Sequence, residues 1–151
     1  MRAFGSDTRL PTVALVLDLL RERTTVSRVE LAEATGLTRA TMTNAVRKLI
    51  ALGFVHEVGT ARSHRGTPRR LLRLQPAACH MVGVQFDRYA AVGVVVDLAG
   101  RVVAQREMPG AGGRGPDAVI PEIAEHVRAL LTSAGVAPSD ALGIGLATYG
   151  P

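Results

Sequence analysis

The sequence predicts an α+β protein of two units, a helix-rich unit closed by a β-hairpin over residues 1–76 and a strand-rich unit over residues 79–151. Three observations carry that prediction. Apolar residues recur at helical spacing as far as Leu49 and mostly at strand spacing beyond it. The charge changes at the same point: residues 1–78 hold 13 Lys and Arg against 6 Asp and Glu, whereas the remaining 73 hold 5 against 7, so the halves carry +7 and −2. Helix caps and turn residues then divide the chain into short, well-bounded elements.

From about residue 8 to 23, Val13, Val16, Leu17 and Leu20 fall on one helical face, and Pro11 suits the first turn, where its missing amide proton costs nothing. Ser27-Arg28-Val29-Glu30 has the form of a capping box and starts a second helix. That helix is short, because Gly36 can take the left-handed conformation that ends it, with Leu37 expected to plug the turn. Thr38 is a good N-cap for a third helix with the inward stripe Met42, Ala45, Val46 and Leu49, ended by Gly53. Two extended pieces follow, Phe54 to Val58 and Arg70 to Leu74, joined by a loop rich in Gly, Ser, Thr and Arg. Helix, capped short helix, turn, longer helix and hairpin in that order make a winged helix-turn-helix.

The second unit reads as an antiparallel meander, Met81 to Phe86, Ala91 to Asp97 and Arg101 to Glu107, with Ala99-Gly100 as its tight turn. A loop from Gly110 to Pro116, a helix from Asp117 to Ala134 and an apolar strand from Ala141 to Ala147 complete it. Pro121 obscures where that helix begins.

Composition excludes several classes. No run approaches the ~18–20 apolar residues needed to cross a bilayer, and the first residues lack a signal-peptide apolar core, so a cytoplasmic protein without a membrane partner is expected. One cysteine, Cys79, allows no internal disulfide and reads as a small buried residue at the start of a strand. His56, His64, His80 and His126 are scattered, so no metal site and no cofactor is expected.

The positive charge of the first half suits a polyanion, and the motif order makes that partner double-stranded DNA. With its stripe turned inward, the third helix offers Arg39, Thr41, Thr43, Asn44 and Arg47 to a major groove, where Asn and Arg can pair with base edges and Thr with a base or a thymine methyl. The wing carries Arg62, Arg65, Arg69, Arg70 and Arg73 with no acid after Gly59 in this half, which suits phosphates or a minor groove, and Gly66 lets the backbone bend toward them. The expected DNA-binding set is Ser27, Arg28, Thr38, Arg39, Thr41, Thr43, Asn44, Arg47, Arg62, Arg65, Gly66 and Arg69. A two-fold homodimer on a pseudo-palindrome is expected.

The segments Ser27-Arg28-Val29-Glu30-Leu31-Ala32, Thr35-Gly36-Leu37-Thr38, Arg65-Gly66-Thr67-Pro68 leading to Leu71-Leu72-Arg73-Leu74, and Val94-Val95-Val96-Asp97-Leu98-Ala99-Gly100-Arg101 resemble those of the ROK regulators, a family of repressors and sugar kinases. The resemblance covers the whole chain. It implies that residues 79–151 are the incomplete start of an actin-like, ribonuclease-H-like domain, ending at a strand similar to Gly145-Leu146-Ala147-Thr148-Tyr149-Gly150-Pro151, and hence a truncated chain. It further implies repression of carbohydrate-utilisation genes under a sugar or sugar-phosphate effector, expected not to bind this chain alone.

Kinases of that family carry Asp-x-Gly-Gly-Thr-Lys at the first hairpin of this domain. Here Gln85, Phe86, Asp87, Arg88, Tyr89 and Ala90 stand in its place, which removes the carboxylate and both glycines and leaves Tyr89 to crowd a phosphate. Asp97 reads as the start of a turn, with no second carboxylate to cooperate with it. No catalytic residue is expected. Two alternatives to a sequence-specific regulator remain open at this point, a sugar kinase fragment and a non-specific nucleic-acid-binding protein.

Overall fold

The computed structural model describes residues 10–61 and 68–148. The chain divides into two compact units, Met1–Gln75 and Pro76–Pro151.

The first unit runs α1 (Leu10–Glu22), β1 (Val26–Ser27), α2 (Arg28–Thr35), α3 (Arg39–Ala51), β2 (Val55–Ala61) and β3 (Arg69–Leu74). Its core gathers one apolar stripe from each element: Val16 and Leu20 from α1, Leu31 from α2, Met42, Val46 and Leu49 from α3, and Val55, Leu72 and Leu74 from the hairpin. The sequence expectation differs from the structure in three places. A third strand, β1, pairs antiparallel with β3 and makes the sheet order β1-β3-β2. At two residues it is too short for any alternation to announce it. The wing strand β2 runs to Ala61 instead of Val58, with a register shift between Glu57 and Gly59 that marks a β-bulge. Leu37 does not plug the turn, being 37% exposed. The turn is held by Gly36, at φ 70°, and by Thr35, whose hydroxyl donates to Leu31 O at 2.8 Å and accepts from Leu37 N at 3.3 Å.

The second unit contains β4 (His80–Phe86), β5 (Ala90–Asp97), β6 (Val102–Pro109), α4 (Pro116–Ser133) and β7 (Ala141–Thr148). Its sheet has the order β6-β5-β4-β7, a meander to which β7 is added parallel to β4. The helix α4 forms the second layer, with Val127, Leu130 and Leu131 packed on Val82, Val84, Val95 and Met108. Gly93 permits the close approach, because a Cβ there would stand 3.0 Å from Met108 Cε and 3.1 Å from Leu130 Cδ2. Pro121 is tolerated inside α4, on an exposed position of its second turn, and the helix starts at Pro116 with Gly115 as its N-cap. Cys79 is buried just before β4. Asp97 opens the β5–β6 turn, its carboxylate accepting from Arg101 N at 2.9 Å while Gly100, at φ 80°, donates to its carbonyl.

The helix does not cover the whole sheet. Between α4 and β7 lies an apolar groove of about 560 Å³, lined among others by Ile120, Ile123, Val127, Ile144 and Leu146, and Leu146 is 63% exposed. Among the described residues, the outer edge of β7 has no strand beside it. Such an edge protects its amides poorly. Hydrogen exchange on the monomeric chain should therefore find β7 opening more readily than β4 and β5, and residues 80–148 less protected than residues 10–61. Equal protection of all these segments would contradict this account of the second unit.

Candidate nucleic-acid interface

Two helices and the turn between them make the candidate site, and the turn's geometry starts with Ser27. Its backbone is extended (φ −90°, ψ 160°), as an N-cap requires, and its hydroxyl accepts from Glu30 N at 3.3 Å. The Glu30 carboxylate reaches back to accept from Ser27 N at 2.7 Å, which completes the capping box read from the sequence. These hydrogen bonds hold the Glu30 carboxyl below its ordinary 4.5, helped by the nearby Arg69 and Arg23. Ser27 itself is only 1% exposed, so its expected place among DNA-contacting residues is corrected: its hydroxyl is buried on the helix it caps.

Thr38 caps α3 in the same way, accepting from Thr41 N at 3.2 Å, and the two hydroxyls lie 2.9 Å apart. With Met42, Ala45, Val46 and Leu49 buried, the i, i+4 geometry of the helix turns Arg39, Asn44 and Arg47 out as exposed side chains and leaves Thr43 half-buried beside them. Arg47 donates to the Asn44 amide oxygen at 3.4 Å, and the Thr43 hydroxyl donates back to Arg39 O at 2.8 Å. Among the described residues, neither Arg39 nor Arg47 is paired with an acid. The structure thus brings together on one helix face four of the predicted residues, Arg39, Thr43, Asn44 and Arg47, with Thr38 and Thr41 at its N-terminal end.

On the wing, Arg69 is exposed and pairs in register with Ala61, at the far end of the described hairpin. Arg62, Arg65 and Gly66 lie outside the described residues. Arg28 is held differently from the rest. It is the first residue of α2, and its guanidinium meets Glu57 of β2, whose carboxylate also accepts from Arg70 of β3. Glu57 is held below its ordinary range by Arg70 and, next, by Arg28. Sequence spacing gave no sign of this cluster, because its members lie 29 and 13 positions apart.

In the second unit, the hairpin between β4 and β5 is closed by one of its own side chains. Asp87 Oδ1 accepts from Tyr89 N at 2.6 Å and from Ala90 N at 2.8 Å, so an internal carboxylate already holds the amides at that hairpin. These bonds lower the Asp87 carboxyl. Among the described residues, no three His, Cys, Asp or Glu converge on a point that could hold a metal ion, and no helix is long and apolar enough to cross a membrane.

Comparison with known proteins agrees with this geometry. The sequence model of the MarR family matches residues 10–66. The chain is 32% identical over 93% of its length to an uncharacterised protein of Sinorhizobium fredii, and 24% identical over 90% of its length to the xylose repressor of Bacillus subtilis. It is 29% identical over 64% of its length to the DNA-binding transcriptional dual regulator NagC of Escherichia coli. It spans 37%, 35% and 24% of those three proteins respectively. A crystal structure of a ROK family transcriptional regulator, a homologue of the Escherichia coli MLC protein, shares the fold over 94% of this chain and 36% of that one, with a TM-score of 0.71 at 18% identity.

The capping box gives a stability test. Ser27→Ala should cost about 1 kcal/mol, the usual loss for an N-cap, and Ser27→Thr should recover much of it. Glu30 has its folded-state carboxyl below its unfolded value of 4.5, so its contribution is fully present above that pH and is lost as pH falls through the depressed folded value. Ser27→Ala leaves the larger cause, the Ser27 backbone N–H, in place, whereas Glu30→Gln removes the titrating carboxyl itself. Denaturant melts from neutral to acid pH should show a shallower loss of stability in Glu30→Gln; a parallel curve would separate Glu30 from the cap.

Proposed function

We propose that this chain, a homologue of ROK-type regulators carrying a MarR-type winged helix, binds a defined operator in double-stranded DNA through α3 and belongs to a repressor of carbohydrate-utilisation genes. The exposed row of Arg39, Asn44 and Arg47 carries the proposal. It stands on a helix whose opposite face is immobilised in the core, so its side chains are presented at fixed spacing. That is the requirement for reading base edges in a major groove. Thr38 and Thr41, at the N-terminal end of α3, suit the phosphate that flanks such a groove.

The wing adds charge rather than contacts to base edges. Arg69, with Arg62 and Arg65 further along the loop, supplies phosphate or minor-groove contacts. Operator reading by a two-fold dimer follows from the same geometry, since two copies of α3 would then address half-sites about one helical turn apart or a multiple of it. Relatives named as an N-acetylglucosamine repressor and a xylose repressor support a sugar or sugar phosphate as the effector class; this chain spans about a quarter to a third of those proteins, and the effector would need the rest.

A sugar-kinase role is disfavoured by Asp87. A phosphate loop works by offering unsatisfied backbone N–H groups, and here the amides of Tyr89 and Ala90 bond a carboxylate of the same hairpin. The unit is read as part of a sensor, without catalysis.

Selection of bound sequences from a random duplex pool, followed by footprinting, tests the proposal. Salt-sensitive binding with no preferred sequence at any protein concentration would overturn it. On the selected operator, Asn44→Ala should cost ~1–3 kcal/mol and relax preference at one base position. Arg69→Ala should weaken operator and random DNA alike and lower the salt slope by about one unit. Should Asn44→Ala leave the preference intact while Arg69→Ala abolishes it, the wing and not α3 would be the reader.

A further inference from the structure

Glu57 is an acid in the wing of a basic domain, and its surroundings give it a role. Arg28 reaches it from the start of α2, Nη2 donating to Oε1 at 2.9 Å, and Arg70 reaches the other oxygen from β3. The Arg28 and Glu57 side chains are 28% and 27% exposed, while Arg70 is 70% exposed. Both arginines border a cleft of about 280 Å³ whose lining also includes Arg69 and the first turn of α2. Glu57 sits at the β2 bulge, where the strand departs from regular pairing.

We propose that Glu57 is an internal counter-anion that withholds Arg28 and Arg70 from DNA phosphates, so that this carboxylate sets how many phosphates the domain neutralises. The inference rests on the DNA-binding reading above. It makes Glu57 a positioning residue, acting through the two guanidinium groups, and it removes Arg28 from the DNA-binding set in which the sequence had placed it.

The chemistry is a competition for the same donors. A guanidinium fork that bonds a carboxylate presents fewer donors to a phosphate, and the two anions repel each other across it. Exposed ion pairs of this kind add little to folding stability. Their effect on counterion release is larger, since each arginine that newly neutralises a phosphate steepens the salt slope by about 0.9, which is roughly a 3.5-fold change in affinity between ~50 and ~200 mM salt.

The test uses the whole 151-residue chain and a mixed-sequence DNA duplex, with the dissociation constant followed across that salt range. Glu57→Gln keeps the shape and removes the charge; it should tighten binding several-fold at low salt and steepen the slope by roughly one to two units. Arg28→Ala should change the slope by less than about 0.3 in the unaltered chain and lower it by about 0.9 in the Glu57→Gln background. An unchanged slope in Glu57→Gln, with folding verified by circular dichroism, would overturn the proposal. So would a loss of about one unit for Arg28→Ala alone, which would place that arginine on a phosphate already; this arm decides the matter even if the Glu57 variant fails to fold. Failure of operator selection with a steepened slope would instead remove the regulator reading and leave Glu57 in its role.

Discussion

Ser27 belongs to two elements at once, and the first unit is organised around that overlap. It is the last residue of β1, paired with Leu71 of β3, and the N-cap of α2. An N-cap must be extended while its side chain points back along the helix, and an extended residue is free to join a sheet. One buried serine therefore fixes the start of α2 to the strand that carries the wing. Everything the proposed interface needs, the angle of α2, the turn at Gly36 and the seat of α3, is built outward from this junction. The bulk of the stabilisation comes from the apolar stripes, but apolar burial is non-directional and would not by itself choose the angle.

What was legible in the sequence was whatever has a local cause. The capping box, the left-handed Gly36, the Thr38 cap and the inward stripe of α3 are each decided within about two turns of chain, and the structure shows all of them. The meander and the turn at Asp97 were likewise readable, because alternation and turn residues are local. What escaped the sequence depends on pairing across distance. β1 exists only because β3 lies beside it, and the Arg28–Glu57–Arg70 cluster joins three elements with no periodic relation. Leu37 was misplaced for a related reason: the Thr35 hydroxyl and Gly36 close the turn locally, but which side chains pack behind it is decided by elements distant in sequence. Ser27 stood in the expected DNA-binding set; its burial could not be seen without the strand β3 that pairs with it.

Internal carboxylates recur at the places where an outside anion would otherwise bind. Glu30 takes the Ser27 amide at the start of α2, Asp87 takes two amides at the β4–β5 hairpin, and Asp97 takes one at the β5–β6 turn. Each satisfies backbone donors that would be costly to leave unmade. The same bonds that stabilise each turn occupy amides that would otherwise be open to an outside acceptor.

The Thr43 hydroxyl has a bearing on how much α3 can say about a DNA sequence. Its proton is committed to the carbonyl of Arg39 one turn back, a common arrangement for threonine inside a helix. What that position retains for an outside partner is a methyl group and an acceptor lone pair, so it behaves more like valine than like a hydrogen-bond donor. The vocabulary of the face then shrinks to three letters, one amide flanked by two guanidinium groups. In the proposed reading, three such side chains specify few bases, and a short word of that kind becomes unambiguous in a genome only when it is read twice.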